Sequence, residues 1–127
     1  MERAEEFTLI GEDRDQTWMD LTGAPAATVV VFDQTLFSEG AEPWEKGDEV
    51  GIMHGAAVVT HGGRAISTLI FQFDDEDSIT AHGVLPVEKS SVGSGLITVT
   101  GGTGQFRRSS GQVSIESRNP KRYGIHL

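Results

Sequence analysis

The stretch "TGGTGQFRRSSGQVSIES", residues 100–117, opens like a phosphate-binding loop and continues as something else. A P-loop needs a lysine directly after its last glycine, then a helix whose N-terminal amides hold the phosphates. Here "GGTG" is followed by Gln105 and Phe106, and the chain runs on into the β-like segment "GQVSIES". The spaced glycines of a dinucleotide fold, set between strand and helix, are missing as well. Gly101, Gly102 and Gly104 therefore read as a sharp bend or bulge in a sheet, where positive φ or close backbone approach excludes larger residues.

Working outward from that bend, β-like runs fill the chain: "TVVVFDQTLF" (28–37), "EVGIMHGAAVVTH" (49–61), "RAISTLIFQF" (64–73), "SITAHGVL" (78–85), "GLITVT" (95–100), "GQVSIES" (111–117) and "RYGIHL" (122–127). A weaker one, "FTLI", lies at 7–10. Turn signals separate them: "HGG" at 61–63, "DDED" at 74–77, "VGSG" at 92–95 and "NP" at 119–120. No window carries a helical period over three turns. The 127 residues fit one domain, 1–127, large enough to bury a core without metal or disulfide. Seven or eight short strands with tight connections predict an all-β antiparallel sandwich or barrel.

"VVVF", "AAVV" and "TLIF" are apolar on both faces, where a half-exposed strand alternates. One face lines the interior. The other needs cover, which predicts a homo-oligomer, a dimer or trimer.

Cysteine is absent, which excludes a disulfide framework, a thiolate zinc site and a cysteine nucleophile. The net charge of −9 argues against nucleic acid and anionic lipid as partners. "MERAEEF" lacks the basic and apolar parts of a signal peptide and no run reaches the length of a membrane span, so a cytoplasmic protein is expected. Arg107, Arg108, Arg118, Lys121 and Arg122 outnumber Glu116 near the C-terminus. That stretch reads as a solvated face, or as a meeting point for a carboxylate.

"ITVTGGTGQFRRSSGQVSIES" resembles the signature of allene oxide cyclases and, more distantly, of dirigent proteins: a glycine turn followed by Phe and a G-Q-V-type strand. In the same order, "VVVFDQTLF" is similar to that family's Asn-x-Leu-Tyr-like strand, "VGIMHGAAVV" to its V-G-I strand, and "FQFDDEDSITAHG" to its central hairpin. The likeness spans residues 28–127. It implies an eight-stranded antiparallel β-barrel with a lipocalin-like ligand cavity, usually oligomeric.

The resemblance also implies which parity faces inward. Val30, Phe32 and Gln34 point into the barrel, with Met53, Ala57 and Val59 on the next strand and Leu69, Phe71, Phe73 and Leu85 beyond. The family's Glu and Asn on the first strand fall on Leu9 and Gly11; its second Asn corresponds to Gln34. Glu12 replaces the lost carboxylate only after a register slip, which reverses the face.

An apolar barrel without that carboxylate still folds a flexible unsaturated chain into a reactive conformation. The expected function is therefore a cofactor-independent cyclase acting on a hydrophobic polyketide-type intermediate, with formal four-plus-two or spiro-ring closure as the family's bacterial precedents. Gln34 is the candidate catalytic donor, its amide polarising a substrate carbonyl. Val30, Phe32, Met53, Ala57, Leu69, Phe71, Phe73 and Leu85 are the candidate substrate wall, with Trp18 capping the mouth. An allene-oxide-cyclase-type isomerase of an oxidised fatty acid and a non-catalytic hydrophobic-ligand carrier or dirigent-like protein are the alternatives. A buried Phe is equally at home as core, Gln34 as the partner of a buried backbone group, and Trp18 or Trp44 at a subunit interface. His54, His61, His82 and His126 do not converge by strand parity, and "DDEDS" lacks the spacing of a calcium loop; no metal or cofactor is expected.

Overall fold

The computed structural model describes residues 5–14, 24–88, 92–118 and 120–127. Eight strands close into an antiparallel barrel: β1 (Glu6–Asp13), β2 (Val29–Glu39), β3 (Lys46–Thr60), β4 (Arg64–Gln72), β5 (Ser78–Pro86), β6 (Gly95–Thr103), β7 (Gly111–Glu116) and β8 (Lys121–His126). Each strand pairs with the next in sequence, and β8 returns to β1, so no edge is left for aggregation. The weak run at 7–10 is thus a full strand, completed by two neighbours that its own propensity does not reveal.

The glycine stretch behaves as a bend. Gly101 sits where the β5–β6 register slips between Thr80 and Ala81, and Gly104, at φ +61°, starts a single 3-10 turn, Gly104–Phe106. Asp77 accepts from the Gln105 backbone and side-chain amides at 3.0 and 2.9 Å, so the acidic β4–β5 turn anchors this crossing. These bonds to the ionised form hold the Asp77 carboxyl below its ordinary range.

Cross-strand register stacks the interior in layers. Gln34, Met53, Phe71 and Ile79 form one; Phe32, Gly55, Leu69 and Ala81 the next; Val30, Ala57, Ser67 and Gly83 the one beyond. Met53, Leu69, Phe71, Ile79 and Leu85 have essentially no accessible surface, and Phe71 meets Tyr123 edge to face at 5.2 Å. The middle of the barrel is therefore packed, where the sequence predicts open lumen. Large residues on one strand face Gly or Ala on the next, and the interior fills.

The two ends differ. The 3-10 turn folds Phe106 over one end, where it packs on Phe73 at 5.5 Å, and Phe73 packs on Phe7 at 6.3 Å. At the other end lie the last residues of β1, β3, β5 and β7, and there Asp13 is exposed and Val30 and Phe32 are half-buried. Lys121 and Val92 are buried at that same end.

On the outside, Arg122 grips Glu39 at 2.6 and 3.1 Å and Glu116 at 2.9 Å. Arg122 holds the Glu39 carboxyl below its usual range. Arg118 lies over the Trp44 ring at 5.1 Å. The C-terminal basic stretch is thus spread over separate partners rather than gathered into one patch.

Candidate active site around Gln34 and Lys121

Gln34 is 2% exposed, and both ends of its amide are engaged. Nε2 donates to Asp13 Oδ1 at 2.8 Å, and Oε1 accepts from the Tyr123 hydroxyl at 2.5 Å. The donors run in one direction, from phenol to amide to carboxylate, so each bond polarises the next. Burial, then the nearby Asp13 charge, raises the Tyr123 pKa far above the usual 10.0, and the phenol stays protonated.

Lys121, the first residue of β8, turns inward beside this chain. Its register partner is Gly11, and Tyr123 and Ile125 share its face. Nζ donates to the Val92 carbonyl at 2.8 Å and stands 6.0 Å from the centre of the Phe32 ring. Burial pushes the ammonium down to about 8, against the opposing charges of Asp13 and Glu88. A titratable amine, a carboxylate and a neutral phenol held together at one end of an apolar barrel are the constellation expected of an acid–base site.

The structure separates the predicted lining into different places. Val30 and Phe32 are half-buried at the end of the barrel where Lys121 turns inward, and Ala57 is buried in the Val30 layer. Met53, Leu69, Phe71 and Leu85 are core, fully packed. Phe73 is a correction: it belongs to the aromatic plug at the far end, because the chain leaving β4 carries it beyond the layer that holds Phe71. Gln34 takes a different part from the one expected, since its amide is committed within the protein. Trp18 lies outside the described residues. Glu12 faces out, paired with Lys46; the carboxylate that reaches the interior is Asp13, register partner of Gln34.

Sequence reasoning missed Asp13 and Tyr123 and put Lys121 in a solvated basic stretch, which the structure corrects: Lys121 is 7% exposed, because its β8 parity turns it inward with Tyr123 and Ile125. Period-two parity was the available signal: Lys121 shares the face of Tyr123 and Ile125, and Asp13 that of Leu9 and Gly11. A depression of about 490 Å³ near the other end is lined by Glu49, Val50, Gly51, Ile52, Gln72, Phe73, Asp74 and Asp75. It is open, and its ionisable groups are all acidic. Among the described residues no group of three or more His, Asp or Glu could hold a metal ion, and no helix is long and apolar enough to cross a membrane.

No family model matches the chain, and no curated protein matches it. Among solved structures it is similar to pyocyanin demethylase, with a TM-score of 0.71 over 97% of this chain and 100% of that one, at 19% identity. That likeness is one of fold.

Proposed function

We propose that this chain is a cofactor-independent barrel enzyme that seats a hydrophobic, unsaturated, carbonyl-bearing guest of polyketide type at the end of the barrel where Phe32 and Lys121 stand and promotes ring closure there. The observation that carries the reading is the buried, inward-facing Lys121, 6.0 Å from the Phe32 ring, at the same end of the barrel as the Asp13–Gln34–Tyr123 chain. The aromatic and aliphatic surfaces of Phe32 and Val30 bind the chain and exclude water. Lys121 donates a hydrogen bond to the guest carbonyl, drawing electron density from the conjugated system as the new bond forms. Asp13, oriented by Gln34, accepts the proton released from the carbon next to that carbonyl and later returns it. Atoms balance without an added oxidant or reductant, as ring closure by isomerisation requires.

The resemblance to allene oxide cyclases and the barrel shared with pyocyanin demethylase, whose name records action on a small molecule, both support this reading. An isomerase of an oxidised fatty acid is the second reading, favoured by the Asp13 carboxylate on the inward face beside Gln34. The test is mass spectrometry of small molecules that co-purify with the protein, then incubation with the linear precursor they imply. A cyclic product is expected to form faster with the protein, and several-fold more slowly with Lys121→Met. Equal rates with and without protein overturn catalysis and leave a carrier.

A further inference from the structure

We propose that Lys121 is a covalent capture site for aldehydes and ketones: its side-chain amine attacks the carbonyl carbon of an apolar guest and holds it as an imine. The inference rests on the proposed function, in which the same amine only donates a hydrogen bond to that carbonyl, and carries the contact one step further.

β8 begins at Lys121, and its period-two parity sends the side chain inward with Tyr123 and Ile125 rather than out to water. The stem is buried, and Nζ lies over the Phe32 ring, 6.0 Å from its centre. Phe32 is only half-buried, so an apolar molecule settling on the exposed part of that side chain arrives beside the amine. Nζ donates to the Val92 carbonyl at 2.8 Å. A carbonyl accepts from a neutral amine as well as from an ammonium, so this contact survives loss of the proton.

The groups facing the amine decide how much of it is neutral. Asp13 on β1 and Glu88 beyond β5 favour the ammonium, but burial outweighs both and leaves it titrating at about 8. The Tyr123 phenol stays protonated and adds no charge. At pH 7 roughly one molecule in ten then carries the nucleophilic lone pair. That pair forms the C–N bond, both N–H protons pass in turn to the carbonyl oxygen, and the oxygen leaves as water. No oxidant or reductant is consumed. Once protonated, the imine draws electrons from a conjugated chain more strongly than a hydrogen bond does and acidifies the neighbouring carbon, the position from which Asp13 takes its proton.

The lysines of the chain are Lys46, Lys89 and Lys121, so a label is assignable peptide by peptide. The folded wild type is exposed briefly at pH 7 to hexanal and sodium cyanoborohydride, which reduces an imine to a stable secondary amine, and the sites are mapped by mass spectrometry. Lys121 is expected to take up hexyl groups about tenfold faster than the exposed Lys46. The preference is expected to vanish in concentrated urea and with glyoxylate, an aldehyde that carries a charge. Lys121 labelled no faster than Lys46 overturns the proposal, as does a preference that persists in urea or that glyoxylate shares. No natural substrate is needed, which keeps the two readings separable: capture without ring closure removes only the cyclase, and ring closure without capture removes only the imine.

Discussion

Tyr123 reaches Gln34 over the backbone of the strand between them. Tyr123 is on β8, Gln34 on β2, and β1 separates the two strands. The passage exists because β1 carries glycine at position 11, where a Cβ would overlap both the Gln34 amide oxygen and the Tyr123 ring. Gly11→Ala is therefore expected to destabilise the barrel by about 1–3 kcal/mol through overpacking. Urea unfolding followed by fluorescence reads this directly, and a neutral result would mean the contact is easily rearranged.

Removing the Tyr123 hydroxyl keeps the ring and its contact with Phe71 but strips Gln34 Oε1 of its donor. Tyr123→Phe is expected to cost about 1–3 kcal/mol, the penalty for a buried acceptor left unsatisfied. Adding Gln34→Leu to Tyr123→Phe is expected to recover part of that loss, measurable as a double-mutant cycle in the same unfolding assay.

Lys121 makes stability depend on pH with a defined sign. The unfolded chain keeps this proton up to about 10.5, whereas the folded chain releases it near 8. Between those values the unfolded state binds more protons, so this group makes stability rise with pH across the window. Below it, the folded state carries a buried ammonium at a cost of up to about 3 kcal/mol. Lys121→Met is expected to be more stable than the wild type at pH 7, with the gap narrowing above pH 8. Thermal melts of both proteins across pH 7–10 check it; a gap constant with pH would place the amine in water.

Phe71 and Phe32 point into the same barrel and are expected to respond differently. Phe71 is fully enclosed, and Phe71→Ala is expected to lose about 3–5 kcal/mol of stability. Phe32 is half-buried beside Lys121, and Phe32→Ala is expected to lose less than half as much while weakening uptake of a hydrophobic guest. Unfolding free energies together with the yield of co-purified small molecule separate the two roles.

An all-β antiparallel fold was legible because its signals are local, and the barrel rather than a sandwich came only with the family resemblance. Glycine turns, short β-branched runs and the missing lysine after "GGTG" each exclude a helix-bearing nucleotide fold on their own. The parity of β2 to β5 was equally readable through the resemblance, and Gln34, Met53, Ala57, Leu69 and Leu85 do face inward and are buried. Depth along the barrel axis was not, since strand tilt and stagger decide whether an inward side chain lands at the mouth, the middle or the closed end. Phe32, Phe71 and Phe73 look alike in sequence and occupy all three. Asp13 escaped notice and Lys121 read as a surface charge because their meaning comes from the closure of β1 on β8, a pairing between opposite ends of the chain.

The rings of Phe7, Phe73 and Phe106 tie the start of β1, the exit of β4 and the turn after β6 into one cluster. Stretches of chain far apart in sequence thus share a single aromatic clasp, and trimming any one of the three rings loosens the hold on the other two.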